Sequence, residues 1–184
     1  MTGTLNMADA ASRLSAVTGL RTLLVAFAFL SVGIGLKMAL FPLHLWLPNA
    51  YTYAPSVVSA FLAATATKVS IYILLRFVFT VFGAHVAFES LPLDAILMPL
   101  ALIAIVVGSI VAIFQTNVKR MLAYSSVAQI GYIVLGISFS SIIGLTAGIV
   151  HLFNHALMKG GLFLALGCVS LRLAEHFEEL VIGV

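Results

Sequence analysis

Residues 149–167 read "IVHLFNHALMKGGLFLALG". His151 and His155 stand four residues apart, and Lys159 follows four further on, inside a run that is otherwise largely apolar. At helical spacing these three ionisable groups line one face, and the remaining faces are mostly hydrocarbon. The run is also long enough, with its apolar flanks, to cross a bilayer. The composition agrees: of 184 residues 62% are hydrophobic and 8% are charged, against about a quarter charged in a soluble domain. A soluble chain of this length has too little polar surface to cover several such helices. The reading is an all-α membrane protein.

Working outward, five segments are long and apolar enough to span, at about residues 20–41, 55–82, 94–114, 121–139 and 142–169. They make one partial transmembrane domain over residues 1–184. Between the first two lies "FPLHLWLPNAYTYAP", where Pro42, Pro48 and Pro55 forbid a continuous regular helix. "GAHVAFESLPLD" joins the next pair and ends on Asp94, an expected N-cap. "QTNVKR" reads as a tight turn whose Lys119 and Arg120 mark a cytoplasmic loop. That places the proline-rich connection and the C-terminus on the cytoplasmic side. "SRLSAVTGLR" is expected to form a short interfacial helix and "LRLAEHFEEL" an amphipathic extension.

Charge inside the spans carries the functional signal. Lys68 lies 13 residues past Pro55, about 20 Å along a helix and so near the bilayer midplane. An ammonium there costs about 3 kcal/mol on insertion scales and usually faces a bundle interior or an ion path; the plainer reading is a snorkelling lysine. Lys37 sits closer to a helix end, where snorkelling is easier, but beside the prolines that interrupt the span, an arrangement used near ion sites in transporters. His151, His155 and Lys159 on one face suit a relay passing protons along a row of water, although either histidine alone could simply bond a neighbouring helix. Gly160 and Gly161 are expected to weaken that helix locally. Ser125, Gln129 and Tyr132 form a polar stripe on the fourth span, able to hold water or to bond a neighbour, and Gly144 and Gly148 match a pattern for close packing.

Other classes fall away. There is no paired carboxylate in a span, no metal-ligand spacing and no phosphate loop, so neither catalytic residues nor a metal or other cofactor is expected. The single Cys168 forms no intrachain disulfide. The net charge of +3 is scattered, which argues against nucleic acid as a partner. "MTGTLNMADAASRL" lacks the basic and apolar regions of a signal peptide.

Three stretches then carry a resemblance: residues 35–77, "GLKMALFPLHLWLPNAYTYAPSVVSAFLAATATKVSIYILLRF", residues 114–137, "FQTNVKRMLAYSSVAQIGYIVLGI", and residues 151–167, "HLFNHALMKGGLFLALG". Together they resemble the proton-conducting, antiporter-like membrane subunits shared by NADH:quinone oxidoreductase (complex I) and Mrp-type cation/proton antiporters. "GTLNMADAASRL" and "NAYTYAPSVVSAFLAATATKV" most resemble the Mrp D subunit. The resemblance implies a fold of about fourteen helices in two inverted repeats, of which this chain matches the seventh to the eleventh. It places Lys37 in the family's broken helix, Lys68 on the central axis and His155 on the eleventh helix, with His151 and Lys159 beside it.

The partner glutamate of Lys37 and the ionisable residue of the second broken helix have no counterpart here, so the expectation is a fragment or one piece of a split subunit. The function that the resemblance implies is proton translocation along this Lys/His axis in a multisubunit Na+/proton antiporter. The alternative is a proton-pumping membrane-arm subunit of complex I or a related membrane-bound hydrogenase. Expected partners are other hydrophobic subunits, protons, Na+ and lipid, in a bacterial inner membrane that the chain crosses several times.

Overall fold

The computed structural model describes residues 3–4, 6–14 and 21–182. Among these residues the architecture is entirely helical. The elements are α1 (Met7–Leu14), α2 (Arg21–Met38), α3 (Trp46–Tyr53), α4 (Ser56–Leu75), α5 (Leu93–Ile113), α6 (Val118–Ser138) and α7 (Ile142–Ile182). Two π-helical stretches, Arg76–Phe82 and His85–Ser90, connect α4 to α5. Five helices are long and apolar enough to cross a membrane: α2, α4 with its π-helical continuation, α5, α6 and the Ile142–Ala174 part of α7. Many large apolar side chains on their outer faces are exposed, among them Phe29, Ile113 and Ile143, as a lipid-facing surface requires.

The break after α2 has a defined chemistry. Ala39 adopts a left-handed φ of 61°. Leu40 N donates to Gly35 O at 2.9 Å and Ala39 N to Leu36 O at 3.1 Å, the bond pair of a Schellman ending. A side chain in that region costs roughly 1–2 kcal/mol. The Trp46 indole returns to the same place, its Nε1 donating to Leu36 O at 2.8 Å. Pro42 and Pro55 bracket α3, whereas Pro48 lies inside its first turn, where a missing N–H leaves no bond unmade. The connection is thus a short helix between two breaks.

Other local expectations shift by a few residues. Lys119 and Arg120 belong to the first turn of α6 rather than to a turn before it, because the Asn117 side chain caps the helix by accepting from Arg120 N at 3.2 Å. Lys119 Nζ donates to Ala54 O at 3.1 Å. That bond puts the α3–α4 and α5–α6 connections at one end of the bundle, as alternating crossings demand. Asp94 sits within the first turn of α5 instead of capping it; a carboxylate there still complements the helix dipole. Of the expected interfacial helix, residues 15–20 lie outside the described residues, and α1 begins earlier, at Met7. The backbone of α7 continues to Ile182, and side chains from Glu175 onward lie outside the described ones.

Small residues set how closely the helices approach. A Cβ on Gly136 would stand 2.8 Å from Gly144 O, and one on Gly144 would stand 2.6 Å from Gly136 O, so α6 and α7 meet backbone to backbone. On the other side of α7, a Cβ on Gly160 would touch Ala64 Cβ at 3.4 Å. Gly160 and Gly161 therefore do not interrupt α7, which runs straight through them; Gly160 serves the packing of α7 on α4.

Candidate functional site

Three helices, α4, α6 and α7, converge on the ionisable face read from the sequence. Lys68 of α4, His155 and Lys159 of α7 are 5%, 0% and 4% exposed, so none reaches either aqueous side. The Lys68 ammonium donates to Ala63 O of its own helix. Lys159 Nζ reaches across to α6, donating to Leu122 O at 2.8 Å and to Ser125 Oγ at 3.1 Å. His151 is half-buried, with Nε2 2.7 Å from Gln129 Oε1 and its ring edge-on to Tyr132, centroids 6.1 Å apart. The rings of His151 and His155 lie parallel within 7° at 6.3 Å.

His155 stands in the middle of this row. It lies within electrostatic reach of Lys68, Lys159 and His151, and neither ring nitrogen has a hydrogen-bond partner among the described residues. Buried polar atoms left this way cost about 1–3 kcal/mol each. The ion pairs Asp9–Arg13 and His85–Glu89 are exposed and outside the cluster, so among the described residues no carboxylate pairs with Lys68 or Lys159, whose charges share one buried space when both are protonated. Like charges so placed repel, and the repulsion is stronger in a low dielectric than in water. No group of His, Cys, Asp and Glu able to hold a metal exists among the described residues.

The five candidate residues are not all brought together. Lys37 is exposed and lines a cleft of about 370 Å³ with Gly33, Ile34, Ser70 and Ile73. Ser70 is two residues from Lys68, hence about 200° around α4. Lys37 thus approaches one side of α4 while Lys68 leaves from the other. The polar stripe of α6 turns out to bond α7 directly, through Ser125 and Gln129.

One residue in the break was read only as part of a motif. His44 is 6% exposed, and its Nδ1 has no hydrogen-bond partner among the described residues. It stacks on Phe41 at 5.3 Å and meets Tyr124 of α6 edge-on at 6.1 Å. A histidine between Pro42 and Pro48 was the available signal; its burial depends on α6, which the local sequence does not contain.

The model for "NADH:quinone oxidoreductase/Mrp antiporter, TM" matches residues 1–182. NADH-quinone oxidoreductase subunit N of Desulforudis audaxviator is 48% identical over 170 residues, covering 92% of this chain and 34% of that protein. The F(420)H(2) dehydrogenase subunit N of Methanosarcina mazei is 39% identical, covering 91% and 33%. Among solved structures, the Mrp complex from Dietzia sp. matches with a TM-score of 0.79 at 30% identity, over 91% of this chain and 30% of the matched one. An archaeal respiratory complex, the membrane-bound sulfane sulfur reductase, matches with a TM-score of 0.65 at 36% identity, over 74% and 28%. The chain spans about a third of the length of the curated relatives it matches.

Proposed function

The chain belongs to the NADH:quinone oxidoreductase/Mrp antiporter transmembrane family, and from that membership we propose that it forms the central part of a proton-translocating membrane subunit in a multisubunit respiratory complex. It is an integral, multi-pass membrane protein, and its relatives are subunits of larger membrane assemblies. The observation that carries the reading is the buried row of Lys68, His155 and Lys159 between α4, α6 and α7.

In this reading the row holds and passes protons. Lys68 and Lys159 act on each other electrostatically, so a proton leaving one eases the protonation of the other. His155, with both nitrogens unbonded, exchanges protons with them through water. Lys37 acts from the far side of α4, coupling to Lys68 through the field rather than by contact. The path needs no cofactor, because the chemistry is proton transfer between nitrogen bases.

The finer identity favours the respiratory reading over the Mrp D subunit. Both sequence relatives described above are named subunit N, one of an NADH-quinone oxidoreductase and one of an F(420)H(2) dehydrogenase. The antiporter reading, with Na+ as the exchanged ion, keeps the support of the Mrp fold match. We place the subunit in a bacterial inner membrane beside other hydrophobic subunits. The test is Lys68→Ala in the assembled complex, with proton movement followed by a pH-sensitive dye in inverted vesicles. Transport should fall at least tenfold with assembly retained; wild-type transport would overturn the proposal. Flavin and iron-sulfur subunits in the purified complex would support the respiratory reading, and Na+-dependent exchange without them would replace it with the antiporter.

A further inference from the structure

The short helix α3 packs against both α4 and α6. Its inward face carries Leu47 and Tyr51, one turn apart and 0% and 1% exposed. The Tyr51 hydroxyl donates to Leu62 O at 3.3 Å, and the Ser59 hydroxyl donates to Tyr51 O at 2.9 Å. The Tyr51 ring meets Phe163 of α7 edge-on, centroids 5.5 Å apart, and Phe163 is itself 1% exposed. Residues of this chain alone therefore enclose both rings.

The register of α4 against α7 fixes where the rings stand. A Cβ on Gly167 would lie 3.0 Å from Ser56 Cβ, and one on Gly160 would lie 3.4 Å from Ala64 Cβ. The two helices thus run antiparallel, and Phe163 is level with the stretch of α4 between Ser56 and Ala64. Phe163 follows Lys159 by four residues, on the face that carries His151, His155 and Lys159. The Lys68 ammonium, on Ala63 O, and the Lys159 nitrogen, on Leu122 O and Ser125 Oγ, lie on the inner side of the ring pair. On its outer side come Ser56 and Ala54, whose carbonyl accepts from Lys119 in the first turn of α6. The rings therefore separate the ionisable row from the end of the bundle where the α3–α4 and α5–α6 connections meet.

A row of bases that moves protons in one direction must be closed on one side while it is open on the other. Rings packed edge to face leave no room for a file of water, and an apolar constriction of this kind gates by dewetting. We propose that Tyr51 and Phe163 close the Lys68–His155–Lys159 row toward the α3–α4 end, with α3 as the lid that carries the closure. The inference rests on the proton-row reading above and adds to it the residues that keep the row from short-circuiting. The lid is joined to α2 through the left-handed Ala39 and to α4 through the extended Ala54, two non-helical joints about which it can tilt without moving either span.

The experiment reconstitutes the assembled complex in liposomes, imposes a pH step with no driving substrate, and follows its decay with a pH-sensitive dye. The wild-type complex should hold the step. Tyr51→Ala and Phe163→Ala should each make it decay several-fold faster, and Tyr51→Phe, which keeps the ring and drops the hydroxyl, should stay tight. Adding Lys68→Ala to either leaking variant should restore tightness, whereas vesicles that leak only because the protein is loosened would go on leaking. Phe163→Val, which removes the ring and keeps a buried apolar side chain, carries the test if Phe163→Ala does not assemble. Tight vesicles with Tyr51→Ala and Phe163→Val, or a leak that survives Lys68→Ala, would overturn the closure. Transport in Lys68→Ala alone judges the row: wild-type transport there removes the row, and lost transport combined with tight ring variants removes only the closure.

Discussion

Replacing Gly136 with alanine should loosen the α6–α7 seam and slow proton transfer through the site beside it. The added Cβ would stand 2.8 Å from Gly144 O, 3.2 Å from Gly148 N and 3.3 Å from Gly148 Cα. All three are backbone atoms, so no side-chain rotation relieves the clash. Restoring ordinary contact at 3.4 Å requires the helices to part by about 0.6 Å. His151 is three residues beyond Gly148, and an opening of that size carries its 2.7 Å contact with Gln129 to about 3.3 Å, past the usual range of a hydrogen bond. Overpacking of this kind costs about 1–3 kcal/mol. Gly161→Ala, on the facing helix α7, is the control, since its Cβ meets nothing within 4 Å; there alanine should be neutral or stabilise by about 0.5–1 kcal/mol through its helix propensity. The assay pairs the thermal midpoint of the purified complex with proton uptake into vesicles. Gly136→Ala should melt lower and conduct several-fold more slowly, and Gly161→Ala should do neither. If the two variants behave alike, the backbone contact does not hold the seam.

Lys159→Met keeps the volume of a buried side chain and removes its donors to Leu122 and Ser125. The hydrogen bonds lost to a charged group are each worth about 1.5–3 kcal/mol, but relief of the buried charge offsets much of that; assembly should survive while transport falls at least tenfold. Gln129→Leu strips His151 of its partner and should destabilise by about 1 kcal/mol while slowing proton transfer, read by the same melting and vesicle assays. Lys119→Met breaks the link to Ala54 O at the end of α3; a loss of about 0.5–1.5 kcal/mol and faster proteolysis near Pro55 are expected, with Arg120→Met as a comparison that leaves the link in place.

Much of the site was legible in sequence because a membrane makes isolated charges conspicuous. Lys68 stands as the one charge among the twenty residues of α4, and His151, His155 and Lys159 share a face by spacing alone. The close-packing pattern of Gly144 and Gly148 also carried over, since a backbone without Cβ is the local requirement for helix contact. Three readings depended on partners distant in sequence. Gly160 and Gly161 suggested weakness from their conformational freedom, yet α7 stays helical through both, with Gly160 placed so that a Cβ there would meet Ala64 Cβ of α4 at ordinary contact distance. Pro48 suggested a break, but its place in a first turn is decided by where α3 begins. His44 drew no role until Tyr124 and Phe41 closed around it.

Hydropathy and the 3.6-residue period are properties of contiguous residues, so the sequence by itself determined the membrane class, the five crossings and the ionisable face of α7. Which of those groups meet is a matter of helix rotation and crossing, set by contacts such as Gly136 on Gly144 that join residues from different spans. Tertiary structure alone therefore decided that Lys68 turns toward His155 and Lys159, that Gln129 holds His151, and that Lys37 stays on the opposite side of α4.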